Sequence, residues 1–100
     1  MLPALTERTA LFCSSDLLAF GAITEARLHG IPIPERLAVC GFGNFELSSA
    51  SEPAFTTVNV EGAEAGRIAA GFLLQRLTGN GPKVDGHVHV PFSILERATT

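Results

Sequence analysis

Two short polar segments each follow an apolar run and carry side chains that form hydrogen bonds. Ser15 and Asp16 follow the first run. Gly43 and Asn44 follow the second. Hydroxyl, carboxylate and amide groups of this kind bind the hydroxyls of small polar ligands. Ser and Asp also cap helices and Gly-Asn is common in turns, so a structural use stays open beside the binding use. A helix N-terminus that faces a cleft would serve both uses together.

The sequence contains no recognisable catalytic pattern. Gly41-Phe42-Gly43 is not a GxSxG elbow, and it lacks the third glycine and the following helix of a dinucleotide-binding fingerprint. His87 and His89 alternate along an extended segment and would share a face, but no acidic or cysteine partner is near them in sequence. An ordinary surface pair is therefore favoured over a metal site. We expect no enzyme activity, no metal and no cofactor.

Composition indicates a folded domain that does not itself contact DNA. Apolar residues make up 46% of the chain and charged residues 17%, and the net charge is −3. The seven lysines and arginines are scattered, whereas contacts with phosphates need clustered cations. No apolar run approaches the roughly 20 residues of a membrane span, and the first residues do not resemble a signal peptide. We therefore expect a cytoplasmic protein in which Cys13 and Cys40 are free thiols.

The order of apolar runs and helix signals predicts a parallel sheet. Residues 10–13 form a continuous apolar run, typical of a strand covered on both faces, and a helix over 16–29 follows with Gly30 as its stop. Beyond a proline-containing loop, residues 37–42 form a second apolar strand. Strand, helix and strand in this order make a βαβ unit with parallel strands. A loop or short helical turn over 45–54 completes this part.

The second half of the chain continues the α/β pattern. Residues 55–58 are β-branched and aromatic and predict a third strand. Apolar residues at three-and-four spacing over 61–77 predict a helix, with Gly79 just past its end. The segment from His87 onward reads as extended and is broken at Pro91. The predicted fold class is α/β with a parallel sheet.

Parallel strands bring their carboxyl ends to one edge of a sheet, where ligands bind in open α/β folds. Ser15, Asp16, Gly43 and Asn44 are therefore expected to line one cleft. The helix that starts at Asp16 also has a second apolar face. This face is expected to pack against another chain and contains Leu17, Phe20, Thr24 and Leu28.

Several segments, taken in order, resemble the lactose-repressor (LacI/GalR) family of transcription regulators. Phe12–Ala22 is similar to the family's strand that leads into Asn/Ser-Asp and an Ala-x-Gly helix. Gly30–Phe42 is similar to the family's Gly-x-x-(Val/Ile)-Pro loop and Val-Gly-Phe strand. A Leu-Thr-Thr-Val-like strand, a Gly-Arg-x-Ala-Ala helix and a Leu-Glu-Arg ending follow. These segments are Phe12–Ala22, Gly30–Phe42, Pro53–Val58, the helix at Gly66-Arg67, and Leu95-Glu96-Arg97.

The resemblance implies the C-terminal part of an effector-binding domain with a type I periplasmic-binding-protein-like fold. In that fold two subdomains are joined by crossovers, and a sugar-like effector binds between them. Residues 10–59 would then be a segment of the C-terminal subdomain, 60–90 would return to the N-terminal subdomain, and 91–97 would cross back. The implied effector-binding residues are those of the two polar segments.

The same resemblance implies further roles and partners. Hinge strands would lie at Asn59-Val60 and Val90-Pro91. The homodimer interface would include Leu17, Phe20 and Thr24. Operator DNA would be bound by a domain absent from these residues. With the rest of the fold missing, the strand edges at 10–13 and 37–42 are expected to lie open.

One departure from the family pattern points to the kind of effector. Many members place Asp directly after the Gly-Phe/Tyr pair, but here that position is Gly43, as in the gluconate-operon-repressor-like subgroup. Removing a carboxylate removes like-charge repulsion of an anion, so the implied effector is a sugar acid or another acidic sugar derivative. The alternative is a periplasmic sugar-binding protein fragment. The unpaired cysteines and the lack of a signal peptide count against it.

Overall fold

A computed structural model describes residues 7–79 and 88–100 of the chain. Helices and strands alternate through most of this part, as the apolar runs and helix signals predict. The strands are β1 (Thr9–Phe12), β2 (Leu37–Phe42), β3 (Thr56–Val60) and β4 (Phe92–Leu95), and the helices are α1 (Asp16–Leu28), α2 (Glu46–Ala50) and α3 (Gly62–Thr78).

The strands form one four-stranded sheet in the order β1-β2-β3-β4. β1 is parallel to β2, with Leu11 opposite Val39, and β2 is parallel to β3, with Gly41 opposite Thr57. The predicted βαβ unit and parallel sheet are thus confirmed. The prediction of an open edge on β2 is wrong, because β3 pairs with that edge and leaves β2 in the interior of the sheet.

One face of the sheet packs against α1. Ala19, Ile23 and Ala26 recur at helical spacing on the buried side of this helix. They meet alternate residues of β2 in a core that also contains Leu37, Val39 and Phe55. Alanine at the contact lets the helix approach the strands closely.

Away from α1 the sheet is only partly covered in the described part of the chain, since Thr56 and Val58 of β3 are buried but the ends of β1 and β2 are exposed. Phe12 at the end of β1 is 66% exposed and Phe42 at the end of β2 is 39% exposed. The prediction that these strands are covered on both faces is therefore wrong for the chain as it stands. The continuous apolar runs indicate that both faces of these strands lack polar residues, but α1 covers only one face.

The C-terminal residues are inserted between the amino-terminal ends of β2 and β3. Thr99 is fully buried, its Oγ1 donates to the Val39 carbonyl at 2.7 Å, and its carbonyl accepts from the Val39 amide at 2.9 Å. The amide of Thr56 in turn donates to Thr99 Oγ1 at 3.0 Å. Residues 97–100 therefore replace the missing ladder bonds where the two strands diverge.

The chain packs as two compact units. One contains the described residues up to Asn59 together with Ser93–Thr100, and the other contains those from Val60 to Phe92. α3, in the second unit, has no buried residue, and Leu73, Leu74 and Leu77 are each at least 60% exposed. None of the described helices is both long enough and apolar enough to cross a bilayer.

Replacing Gly41 by Ala tests the close packing of β2 on α1. A Cβ at this position would overlap Oδ1 of Asp16 and would lie 3.1 Å from the Phe55 ring and 3.2 Å from the Ala19 Cβ. We expect Gly41→Ala to lower the free energy of unfolding by about 1–3 kcal/mol in urea denaturation, the usual cost of overpacking.

Gly21→Ala is the matched control, because a Cβ at that helical position meets nothing within 4 Å. This variant should gain about 0.5–1 kcal/mol from helix propensity. Equal stabilities for the two variants would contradict the described packing.

Candidate functional site

Asp16 joins three elements at the carboxyl end of the sheet. It is the first residue of α1 and is fully buried. Its Oδ1 accepts from the Thr57 hydroxyl of β3 at 2.6 Å, and its Oδ2 accepts from the Phe45 amide at 2.7 Å. A buried carboxylate needs such donors because it has lost its contact with water. Asp16 therefore fixes the loop after β2 against both α1 and β3.

The loop after β2 has a backbone that favours its particular residues. Gly43 has φ +120° and Asn44 has φ +52°, the left-handed region that Gly and Asn adopt most easily. The Gly43 amide donates to the Val58 carbonyl at 2.9 Å and the Asn44 amide donates to Thr57 Oγ1 at 3.2 Å. With the Phe45 amide bound to Asp16, three consecutive backbone donors are used internally. Any ligand of this loop would therefore contact its side chains or carbonyl groups.

The Asn44 side chain belongs to a polar network. Its Nδ2 donates to Oδ1 of Asn59 at 3.1 Å, and its Oδ1 accepts from Nη2 of Arg97 at 3.4 Å. Nη1 of Arg97 donates to Ser48 Oγ at 2.9 Å and to the Phe55 carbonyl at 3.2 Å. No ion pair found among residues 7–79 and 88–100 involves Arg97. A half-buried cation bound to neutral acceptors thus lies beside Asn44.

The four residues predicted to line the cleft come together, each with a structural partner. Ser15 caps α1, since its Oγ accepts from the Leu17 amide at 3.1 Å. Asp16 is bound from two sides, and Gly43 and Asn44 form the adjoining loop. The capping interpretation is confirmed for Ser15, whereas the carboxylate of Asp16 bonds to Thr57 and to the Phe45 amide and does not cap α1. Their contact with an effector stays a prediction.

The local geometry gives a steric reason for glycine at position 43. The ring of Phe45, which is 50% exposed, lies 3.1–3.4 Å from where a Cβ on Gly43 would be. Together with its positive φ, this contact favours glycine at the position. The loop itself therefore disfavours a carboxylate, or any other side chain, at this position.

Three residues of the site carry no distinctive sequence signal. Thr57 looks like an ordinary strand residue, Ser48 lies in a segment predicted as a loop or turn, and Arg97 is one of several scattered cations. Only the Leu-Glu-Arg ending of the family pattern points to Arg97. The contacts of all three depend on strand order, which sequence spacing does not give.

The predicted hinge and dimer residues occupy distinct places. The two units divide between Asn59 and Val60 and again just beyond Pro91. Val90 is half-buried and Pro91 is exposed. The predicted dimer residues lie on the outward side of α1. Leu17 is 64% exposed, Phe20 is 40% exposed, and Thr24 is exposed with its Oγ1 bonded to the Phe20 carbonyl.

The thiols and histidines do not form a metal site in the described part of the chain. Cys13 and Cys40 are both free, as predicted, and burial raises the pKa of each thiol. No cluster of His, Cys, Asp and Glu residues suited to a metal occurs within residues 7–79 and 88–100. His87, one of the pair considered from sequence, lies outside the described residues.

Comparison with known proteins gives consistent matches. The family described as periplasmic binding protein-like domain matches residues 2–100. The transcriptional repressor CytR of Escherichia coli is 39% identical over 71 residues, which cover 71% of this chain and 21% of CytR. The chain thus spans about a fifth of the length of the curated relatives it matches.

Solved structures agree in fold. Transcription regulator GntR from Chromobacterium violaceum superposes with a TM-score of 0.76 and 36% identity, over 90% of this chain and 33% of that one. Transcriptional regulator CelR in complex with cellobiose gives a TM-score of 0.83 and 28% identity, over 91% of this chain and 28% of that one.

Proposed function

Because this chain belongs to the periplasmic-binding-protein-like family, in the form found in LacI/GalR transcription regulators, we propose that it is the effector-binding and dimerising part of a repressor. The proposed effector-binding residues are Ser15, Asp16, Gly43 and Asn44. Asp16 contributes by holding the loop, since both of its oxygens are engaged. Ser15 and Asn44 supply side-chain polar groups at the edge.

The observation that carries this proposal is the polar network at the carboxyl edge of β2 and β3. In open α/β sheets this edge is where ligands bind. Asn44 stands there on a loop held by Asp16 and Arg97. A rigid loop with polar side chains suits a small ligand that is rich in hydroxyls. CelR, a structural neighbour, was solved in complex with cellobiose.

A sugar acid is the effector class that the charges favour. Position 43 carries no carboxylate, the nearby Asp16 carboxylate is buried with two donors, and Arg97 has no anionic partner among the ion pairs of the described residues. An anion at this edge therefore meets little repulsion and a nearby positive charge. A neutral sugar gains less binding free energy from the same arrangement of charges.

The outward face of α1 is the proposed contact with a second copy of the chain. Leu17, Phe20 and Leu28 are exposed on it by 64%, 40% and 76%. A groove of about 450 Å³ lies beside this face. It is lined by Phe20, Ile23, Thr24, Arg27, Leu28, Ser51 and Glu52. Exposed apolar surface with a polar rim is typical of protein interfaces.

The remaining roles concern the parent protein. The net charge of −3 argues that operator DNA is bound by another segment of the parent, whose affinity the effector changes by linkage. Asn59, Val60, Val90 and Pro91 are the proposed hinge residues, with 60–90 as part of the N-terminal subdomain. A cytoplasmic location follows from this role. The alternative, a periplasmic sugar-binding protein, finds less support because CytR, the curated relative named above, is a repressor.

Isothermal titration calorimetry with gluconate and glucose tests the proposed effector. Gluconate is an open-chain anion and glucose is an uncharged pyranose, so gluconate should bind at least about tenfold more tightly, and added salt should weaken the part of the difference that is due to charge. Tighter binding of glucose would contradict the sugar-acid assignment.

The Asn44→Gly variant tests the location of the site, because Gly adopts the positive φ of this residue but lacks the side-chain amide. We expect it to weaken gluconate binding by about tenfold, the size of one hydrogen bond. Ser49→Ala is the control, since that hydroxyl is exposed and, among the described residues, bonds to the Glu46 carbonyl alone. Equal affinities in the two variants would place the ligand elsewhere.

Sedimentation equilibrium of Phe20→Glu tests the dimer face. Burying an unpaired carboxylate costs several kcal/mol, so the dimer should dissociate about a hundredfold more readily. Leu74→Glu makes the same kind of change at an exposed residue of α3 and should leave the dimer intact. A monomeric wild-type chain, or a dimeric Phe20→Glu variant, would contradict this interface.

A further inference from the structure

Arg97 contacts the proposed effector loop from the C-terminal end of the chain. Its Nη2 lies 3.4 Å from Oδ1 of Asn44, and Nδ2 of Asn44 lies 3.1 Å from Oδ1 of Asn59. Arginine donates hydrogen bonds and never accepts them. We propose that Arg97 is a positioning residue, which sets the direction of a relay through the amides of Asn44 and Asn59.

Arg97 is the donor that determines the orientation of the Asn44 amide. Ser48 Oγ also lies 3.4 Å from Asn44 Oδ1, but its single proton is directed to the Phe45 carbonyl at 2.7 Å. Asn44 Oδ1 must therefore face Arg97, because a flipped amide would set its NH₂ group against the guanidinium. Its NH₂ group then faces Asn59.

The same logic orients Asn59. Because the NH₂ group of Asn44 donates, the side-chain oxygen of Asn59 must accept. The NH₂ group of Asn59 is then on the far side of its amide. Asn59 lies on β3, at the point where the chain leaves one compact unit for the other. One cation thus determines which side of two amides is donor and which is acceptor at the carboxyl edge of the sheet.

Arg97 is itself held firmly enough to serve this role. Nη1 donates to the Phe55 carbonyl and to the buried Ser48 hydroxyl. Its backbone amide donates to Thr56 Oγ1 at 2.9 Å. The guanidinium is thus anchored to α2 and to the residue before β3, and the backbone of Arg97 is anchored to β3, so the direction of the side chain does not depend on an ion pair.

The relay deepens the proposed function and rests on it, because its consequence is the pattern of donors and acceptors that the effector meets. Asn44 with its oxygen turned to Arg97 differs in hydrogen bonding from the flipped amide, although the two have the same shape. Loss of this amide orientation should therefore weaken binding of the effector more than it alters the fold.

Three variants distinguish an effect of Arg97 on the orientation of the amides from the loss of a contact alone. Arg97→Lys keeps a donor-only cation, Arg97→Gln supplies a group that can donate or accept, and Asn44→Gly cuts the relay with Arg97 in place. Arg76→Gln, on the exposed last turn of α3, is the control for loss of a positive charge. Each chain is examined by NMR of its side-chain amides without ligand, and by calorimetry with gluconate.

Arg97→Gln should shift or double the side-chain amide signals of Asn44 and Asn59 and weaken gluconate binding by about tenfold, roughly the value of one hydrogen bond. Arg97→Lys should retain single signals and bind within about threefold of wild type, the size expected when donor direction survives. Asn44→Gly should shift the Asn59 signals, and Arg76→Gln should change nothing.

Two outcomes would overturn the relay. One is unchanged Asn44 and Asn59 signals in Arg97→Gln, and the other is identical behaviour of the Lys and Gln variants. If Arg97→Gln does not fold, unchanged Asn59 signals in Asn44→Gly overturn it instead. Failure of the wild-type chain to bind gluconate would overturn the sugar-acid effector alone, because the NMR signals report the relay without ligand.

Discussion

The Asp16 carboxylate has no exposure to solvent, and its hydrogen bonds must therefore come from the protein. They come from Thr57 on β3 and from the Phe45 amide in the loop after β2, at 2.6 Å and 2.7 Å. Such charge-assisted bonds contribute roughly 1.5–3 kcal/mol each. Gly41 belongs to the same arrangement, since any side chain there would overlap the carboxylate. The position of the candidate site thus depends on one buried acid and on the glycine that makes room for it.

The candidate site is held from two ends of the chain. Asp16 fixes the backbone of the loop from α1, and Arg97 contacts its side chains from the segment after β4. Thr99, two residues further on, is buried between β2 and β3 and so anchors that segment to the sheet. Because the loop amides are used internally, the proposed specificity would depend on side chains such as Asn44. This division suits a binding site, in which a rigid frame presents a few polar groups.

Much of the fold could be predicted from the sequence because it depends on local signals. Capping at Ser15, the stop at Gly30 and the apolar run at 37–42 place α1 and β2 within a residue of their observed bounds. The meeting of the two polar segments followed from parallel strands. Partners set by the tertiary fold could not be predicted in this way. Thr57 reaches Asp16 because β3 pairs with β2, and Arg97 reaches Asn44 across 53 positions of sequence.

The central claim, that Asp16 holds the loop and β3 through its charge, is tested most directly by the free energy of unfolding of Asp16→Asn. The substitution keeps the shape of the side chain and removes one of its two accepting oxygens. We expect a loss of about 1–3 kcal/mol, the cost of leaving a buried donor unpaired. Glu46→Gln, which neutralises an exposed acid on α2, should change stability by no more than about 0.5 kcal/mol. An Asp16→Asn chain as stable as this control would contradict the claim.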